Sequence, residues 1–569
     1  MKIPMKKVCL RSPCTLSRSS FNVFNLALMA IVLCWSLSLA SAVQATNLIA
    51  GFTSIPGHFP DSDAYEVNDD VVINSFDGVD ITANVIVPTS GKDSYPAIIF
   101  INSWAMDEYE YIPQAVRFAE QGYIVLSYAT RGFGESEGQI ATAGPQDMLD
   151  LSYVIDWLLD NTNADVERIG ASGISYGSGI SLLGAAHDHR ISAVVAMSTW
   201  GSLTESLYGQ ESPRLVWGGL LTLLGEITGD ADPVIAENYK NIISHQNIDE
   251  TLEWAGVRSA ETYVDILNAR DVPIYIANNF GDNLFQPNQA LKFYEQLTTP
   301  KRMDLSQGMH ASAELWGLVN ADKEHYLWQK TEMWFDRWLK GEENGIEYES
   351  SFNVEPKYAN DQYEQLQEWP TPLVQDDRMY LHPRGLVSNG KLKSSGYSSW
   401  WSNTDTILSG LDTLANTGIP MISTLIEAEI DAPVLTSIPF ISRVNGIVFE
   451  TGRLDETLSI RGIPKLHLNV KPSKSQYQMI AYLYDVDALG IGKLITHGPL
   501  TDYDADAGRV QSVDLELVAA AYDVPAGHKV ALVIDTFDLL YAPPTLSIYS
   551  LGFKFNRNNQ SWLDLPVKQ

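Results

Sequence analysis

Five residues constrain this chain more than any other stretch: Gly173-Ile174-Ser175-Tyr176-Gly177. Before them, Arg168-Ile169-Gly170-Ala171-Ser172 reads as a short buried strand; after them, Ser178 to Ala186 reads as a helix rich in small residues. A strand, a G-x-S-x-G turn and a helix form the setting in which a serine becomes a nucleophile at the C-terminal end of a sheet. The turn is sharp, and glycine on either side leaves room that a Cβ would fill. The helix N-terminus that follows aims backbone N–H groups at an anion. A Gly/Ser turn without chemistry can carry the same five letters, so the motif gains weight only from partners for the serine elsewhere in the chain.

The flanking pattern sets the fold class. Val71–Phe76 and Ile81–Val87 read as strands joined by the turn signal Asp77-Gly78. Pro96–Ile101 is a continuous apolar run, as a buried parallel strand would be, and Tyr123–Tyr128 and Val194–Met197 read as the strands that follow. Ile112–Gly122 and Pro145–Asn161 carry apolar residues at helical spacing. Strands alternating with helices give a parallel sheet covered on both sides, and with the Ser175 motif this is the α/β-hydrolase arrangement. Residues 200–268 break the rhythm and read as a helical cap. Strands resume at Pro273–Asn278 and Met303–Leu305, with helices around Ala290–Leu297 and Glu324–Leu339. The expected divisions are a catalytic domain over 65–340, a linker over 341–375 and a C-terminal domain over 376–569. Short strands between Gly, Pro, Asn and Asp turns make the last an all-β jelly-roll sandwich. Residues 404–444 are apolar within it, as a helix or a lid would be.

Residues 1–45 differ in kind. Lys2, Lys6, Lys7, Arg11 and Arg18 precede a nearly apolar run from Phe24 to Leu39, and Ala40-Ser41-Ala42 offers small residues for cleavage. This is the pattern of a signal peptide, so the product is expected to be exported, secreted or periplasmic. Cys9, Cys14 and Cys34 all lie in this leader, which leaves no disulfide in the remainder. The net charge of −32 becomes about −37 once the five basic residues are removed. Such acidity argues against a nucleic-acid partner. No later run reaches the roughly 20 apolar residues of a spanning helix. Homo-oligomerisation is left open.

A serine nucleophile needs a base, and the base an orienting acid; in this fold both follow later strands, acid before base. After the Ile274–Asn278 strand the chain reads Asn279-Phe280-Gly281-Asp282, which puts Asp282 in the acid loop. Asp271 precedes the strand, at the wrong end of the sheet. After the next strand it reads Ser306-Gln307-Gly308-Met309-His310, which puts His310 in the base loop. The Tyr176 N–H is one expected oxyanion donor. The other should come from the loop after Pro96–Ile101, which reads Asn102-Ser103-Trp104-Ala105-Met106. Trp104 has two readings, an indole N–H donor or a wall of the substrate pocket. Neither a metal-ligand motif nor a phosphate loop is present, so no cofactor is expected.

Several stretches resemble one family. They are Arg131-Gly132-Phe133-Gly134-Glu135-Ser136-Glu137-Gly138, Pro145-Gln146-Asp147, the Ser175 motif, Ala260–Val264, Phe449-Glu450-Thr451, Leu458–Gly462 and Pro525–Lys529. From about residue 70 onward the chain resembles the Xaa-Pro dipeptidyl-peptidase-like serine hydrolases, which include cocaine esterase, α-amino acid ester hydrolases and glutaryl acylases. The resemblance implies Ser175 as nucleophile, Asp282 as acid and His310 as base. It also implies a tyrosine hydroxyl as second oxyanion donor, where this chain has Trp104. The Arg131 stretch is expected to be structural, its arginine in an ion pair near the rim of the site.

The leading functional expectation is hydrolysis of a carboxylic ester or amide, small-molecule or peptide, through an acyl-enzyme. An Xaa-Pro dipeptidyl-peptidase or α-amino acid ester hydrolase is the alternative. Either must neutralise an ammonium, for which Glu205, Glu211, Glu226 and Glu314 are candidates on the cap and rim. An alternative of another class is a carbohydrate- or surface-binding protein with a vestigial hydrolase domain.

Overall fold

The computed structural model describes residues 59–320 and 324–569; the leader reading and its cysteines lie outside them. The Asp77-Gly78 turn joins β1 (Tyr65–Asn74) to β2 (Asp80–Pro88), antiparallel, with Asn74 opposite Asp80. Then come β3 (Tyr95–Ile101), β4 (Ile124–Tyr128), β5 (Ala164–Ile174), β6 (Ile191–Met197), β7 (Ile274–Asn279) and β8 (Lys301–Ser306). The sheet order is β1-β2-β4-β3-β5-β6-β7-β8, parallel from β4 onward. Every residue of β3 and β4 is buried because helices cover both faces. Along β3 the side chains alternate between two cores. Ile99 and Ile101 join Leu151 and Ile180, while Ile98 and Phe100 join Phe118 and Trp328.

The order carries the function. From β3 the chain crosses to β4 on one side, then returns to β5 on the other. The loops after β3 and β5 therefore diverge from neighbouring strands and leave a crevice at their C-terminal ends, where open α/β sheets bind ligands.

The helices between these strands are α1 (Ile112–Glu120), α2 (Pro145–Asn161) and α3 (Tyr176–His187). Between β6 and β7 lie α4 (Leu203–Tyr208), α5 (Leu215–Thr228), α6 (Pro233–Ser244), α7 (Ile248–Gly256) and α8 (Val264–Arg270), the helices of the cap segment. Asp271 is exposed just before β7. After β7 come α9 (Pro287–Gln296), α10 (Ser312–Asn320) and α11 (Tyr326–Leu339). Among the described residues no helix is long and apolar enough to cross a membrane.

The linker reading of 341–375 needs correction. This segment holds β9 (Phe352–Val354), which extends the catalytic sheet parallel to β8, and β10 (Glu364–Gln365), antiparallel to β9. Two strands this short, set among polar turns, leave no period-2 pattern to read.

The C-terminal domain is an all-β sandwich. Its strand Tyr477–Val486 is buried throughout and pairs antiparallel with Ile491–Asp502 and Lys529–Asp535. Within 404–444 lies α12 (Ile422–Ile430), between the strands Asn403–Leu408 and Leu435–Ser437. It reaches back to the catalytic domain: Trp316 Nε1 donates to Glu429 at 3.0 Å and Lys357 pairs with Glu427 at 2.8 Å.

The Arg131 stretch forms an ion pair, as expected. Arg131 grips Asp150 of α2 through Nε and Nη2 at 2.6 and 2.7 Å and reaches Asp77 in the hairpin turn at 3.1 Å. Asp150 is 1% exposed, so removing the arginine strands a buried carboxylate. Arg131→Met is expected to lose about 3–5 kcal/mol in urea unfolding. A loss below ~1 kcal/mol would class the pair with surface salt bridges instead.

Candidate active site

Ser175 sits between β5 and α3 with φ 56° and ψ −115°, a conformation few non-glycine residues adopt. Its N–H donates to the Met197 carbonyl at 2.9 Å. The turn requires bare backbone beside it. A Cβ on Gly177 would lie 2.0 Å from the Ile101 carbonyl oxygen, and one on Gly173 would lie 2.6 Å from the Gly177 carbonyl carbon. Helix α3 thus starts hard against the end of β3, with the serine hydroxyl lifted above the sheet.

The expected partners meet it there. His310 Nε2 lies 2.7 Å from Ser175 Oγ, and His310 Nδ1 lies 2.7 Å from Asp282 Oδ2. Asp282 is wholly buried, and its other oxygen accepts from the Leu284 and Phe285 N–H groups at 2.8 and 2.9 Å. The carboxylate is therefore fixed before the imidazole meets it. Phe285 and Trp217 stand edge-on to the His310 ring, with centroids at 5.0 and 5.7 Å. Such an arrangement can move a proton from hydroxyl to imidazole while the carboxylate supports the charge.

Residues outside the sequence reading hold the histidine loop. Ala311, at φ 65°, donates its N–H to Ser198 Oγ at 3.0 Å. Glu355, from the segment read as a linker, accepts the Gln307 N–H at 2.8 Å. No local motif marks Glu355, whose role depends on β9 joining the sheet.

Tyr176 is the first residue of α3, so its N–H has no intrahelical acceptor and lies next to the serine. Trp104 stands in the opposing loop, but its indole is not available as a donor. Nε1–H is given to the Leu221 carbonyl of α5 at 3.0 Å. Its ring packs edge-on to Tyr176 and Phe133, at 5.3 and 5.1 Å between centroids. The indole thus anchors the cap to the loop after β3.

Two family descriptions match the chain: X-Pro dipeptidyl-peptidase (S15 family) over residues 77–312, and its C-terminal non-catalytic domain over 344–562. The chain belongs to the S15 family. It is a serine hydrolase of the esterase or dipeptidyl-peptidase type. A Bacillus anthracis protein provisionally named an Xaa-Pro dipeptidyl-peptidase is 21% identical over 455 residues, 74% of this chain and 70% of that one. A CocE/NonD family hydrolase from Staphylococcus aureus superposes with a TM-score of 0.68 at 12% identity, covering 88% of this chain and 94% of that one. An α-amino acid ester hydrolase superposes with 0.64 at 14% identity, covering 90% and 98%.

In this S15 chain the Pro145-Gln146-Asp147 stretch has a definite task. Asp147 caps α2 by accepting the Gly144 N–H at 3.1 Å, and the same oxygen accepts the Tyr176 hydroxyl at 2.9 Å. The Tyr176 hydroxyl in turn accepts the Ala143 N–H at 3.0 Å. The side chain beside Ser175 is thereby pinned to the start of α2. The four candidate ammonium ligands are placed elsewhere. Glu314 is fully buried and bonded to Ser198 and Asn279, Glu205 pairs with Lys292 at 3.1 Å, and Glu211 and Glu226 are exposed.

Two measurements check this geometry. Removing an oxyanion donor costs about 10²–10³ in kcat, so Trp104→Phe is expected to cost less than ~10-fold. A larger loss would return the indole to that role. The second concerns Asp147, which burial, then Asp150, pushes up to about 7. Its folded value lies above the ordinary 3.8. The stabilising neutral form is therefore fully present below 3.8 and lost as pH rises through about 7. Asp147→Asn has no proton to lose, so the wild-type Tm should fall relative to the variant across that window. Equal pH slopes would sink the assignment.

Proposed function

We propose that this S15 hydrolase is an exported enzyme that cleaves carboxylic esters through an acyl-enzyme on Ser175. The observation that carries the reading is the continuous chain Ser175 Oγ–His310–Asp282 at 2.7 Å for each contact. Ser175 Oγ attacks the substrate carbonyl as its proton passes to His310 Nε2. Asp282 holds Nδ1–H and stabilises the imidazolium. The oxyanion is met by the Tyr176 N–H and by the main chain of the opposing loop, where the Trp104 N–H takes no acceptor among the described residues. Collapse expels the alcohol, which takes its proton from His310, and water then repeats the cycle on the acyl-enzyme. None of these steps uses a metal or organic cofactor.

What supports esters over substrates bearing an α-ammonium is the company of the reacting atoms. Aromatic rings flank His310 and Tyr176, while the acidic candidates are buried behind the site, paired or in solvent. The Bacillus anthracis relative's name supports the second reading, cleavage of Xaa-Pro dipeptides. A vestigial hydrolase is disfavoured by the intact hydrogen-bonded chain.

A fluorophosphonate probe is expected to label the wild type and not Ser175→Ala. Short-chain nitrophenyl esters should turn over faster than Xaa-Pro nitroanilides or α-amino esters. Rapid nitroanilide turnover with silence on simple esters would replace the first reading with the second. Fractionation of the native host tests export.

A further inference from the structure

The peptide before Ser175 is held from outside its own strand. The Ile174 N–H donates to the Tyr111 hydroxyl at 2.8 Å, and the Ile174 carbonyl lies 3.0 Å from Ser103 Oγ. Both partners belong to the segment between β3 and α1, the same segment that faces the serine with Trp104. Behind Ser103 stands Glu110, only 2% exposed. Its Oε2 accepts the Ser103 N–H at 2.6 Å, and its Oε1 lies 2.6 Å from Ser103 Oγ.

These oxygens set a proton count. Ser103 Oγ carries one hydrogen and has two acceptors, Glu110 Oε1 and the Ile174 carbonyl. If that hydrogen goes to Glu110, the Ile174 carbonyl loses the bond. If it goes to Ile174, two bare oxygens face each other at 2.6 Å unless the carboxyl supplies a proton. The Tyr111 hydroxyl, which accepts the Ile174 N–H, does not change this count. The two contacts of Ser103 Oγ, to Glu110 and to the Ile174 carbonyl, are both filled only when the carboxyl itself carries a proton.

We infer that Glu110 is a positioning residue that works as a neutral carboxylic acid, donating to Ser103 so that Ser103 can clamp the β3–α1 loop onto the nucleophile elbow. The clamp rests on the reading of Ser175 as nucleophile. It fixes the spacing between the loop carrying the Trp104 N–H and the turn carrying Ser175 and the Tyr176 N–H. Burial pushes the Glu110 carboxyl up to about 8, against the pull of its two bonds to Ser103. Asp107 of its own loop raises it further, while Tyr111, the residue capping α1, pulls it down. Ser103 and Ile174, which face it from the loop and from β5, do not titrate in this range. The neutral acid therefore prevails below about pH 8 and is lost as pH rises through that value.

The experiment compares full-length wild type, E110Q and E110A on a nitrophenyl ester from about pH 6 to about pH 10, reading kcat and KM separately. A glutamine amide can donate to Ser103 Oγ while its carbonyl accepts the Ser103 N–H, so E110Q copies the neutral acid permanently. E110Q is expected to keep kcat near the wild-type value at neutral pH and to lose the decline above about pH 8. E110A, with a loosened loop, is expected to lose about 10–100-fold in kcat with KM little changed. If E110Q is as impaired as E110A, or declines with pH as the wild type does, the clamp is overturned. Fluorophosphonate labelling separates the two ideas. A labelled wild type with a failed E110Q overturns the clamp alone, and an unlabelled wild type overturns Ser175 as nucleophile and the clamp with it.

Discussion

Everything at the site depends on how closely α3 approaches the end of β3. A non-glycine residue at φ 56° carries about 1–3 kcal/mol of strain and persists only where the surroundings over-determine it. Here three constraints converge on Ser175. Gly177 lets the helix touch the Ile101 carbonyl, the Ser175 N–H is tied to Met197, and the peptide before it is tied to Tyr111. The strand order makes these constraints available together. Because β3 and β5 are neighbours whose connections leave in opposite directions, the loop after one strand can face the turn after the other.

That architecture explains what is legible in the amino-acid sequence. The apolar run of β3 and the largely apolar β4 and β6 announce strands buried on both faces, and chain order alone places Asp282 and His310 after β7 and β8. What escaped has a physical cause in each case. The direction of the Trp104 indole is set by Leu221, in a cap helix far along the chain. Segment 341–375 looks like a linker because β9 is three residues long and takes its meaning from β8. The stretch Asp107-Glu108-Tyr109-Glu110 carries three acids in four residues, a pattern that on its face belongs in solvent. Glu108 and Glu110 are nonetheless 6% and 2% exposed, since the loop folds under the elbow and not out into solvent.

Charge inside this acidic chain is sorted by company. Asp150 meets a bidentate arginine, and Asp282 meets His310 together with two backbone N–H groups. Asp147 and Glu110 meet only hydroxyls and amides, and burial pushes both upward. Those with no hydrogen bond to a cation hold frames: Asp147 the Tyr176 side chain, Glu110 the facing loop, Glu314 the Ser198–Asn279 pair behind the histidine loop. An acid in such a place is pushed toward its uncharged form because burial penalises the charge more than hydroxyl and amide donors repay it.

The site is also not the property of one domain. Leu215 at the start of α5 donates its N–H to Leu540 of the sandwich, and Arg214 stacks over Tyr541 at 4.7 Å. Helix α12 of the sandwich packs Thr424 beside Gly281, the neighbour of Asp282. The sandwich therefore braces α5, α5 holds Trp104 through Leu221, and Trp104 stands in the loop that Ser103 binds to the elbow. A displacement of α5 must either break the Trp104–Leu221 bond or drag that loop with it. Dragging the loop would in turn pull on the Ser103–Ile174 contact, so the brace from the sandwich runs without a break to the peptide before Ser175.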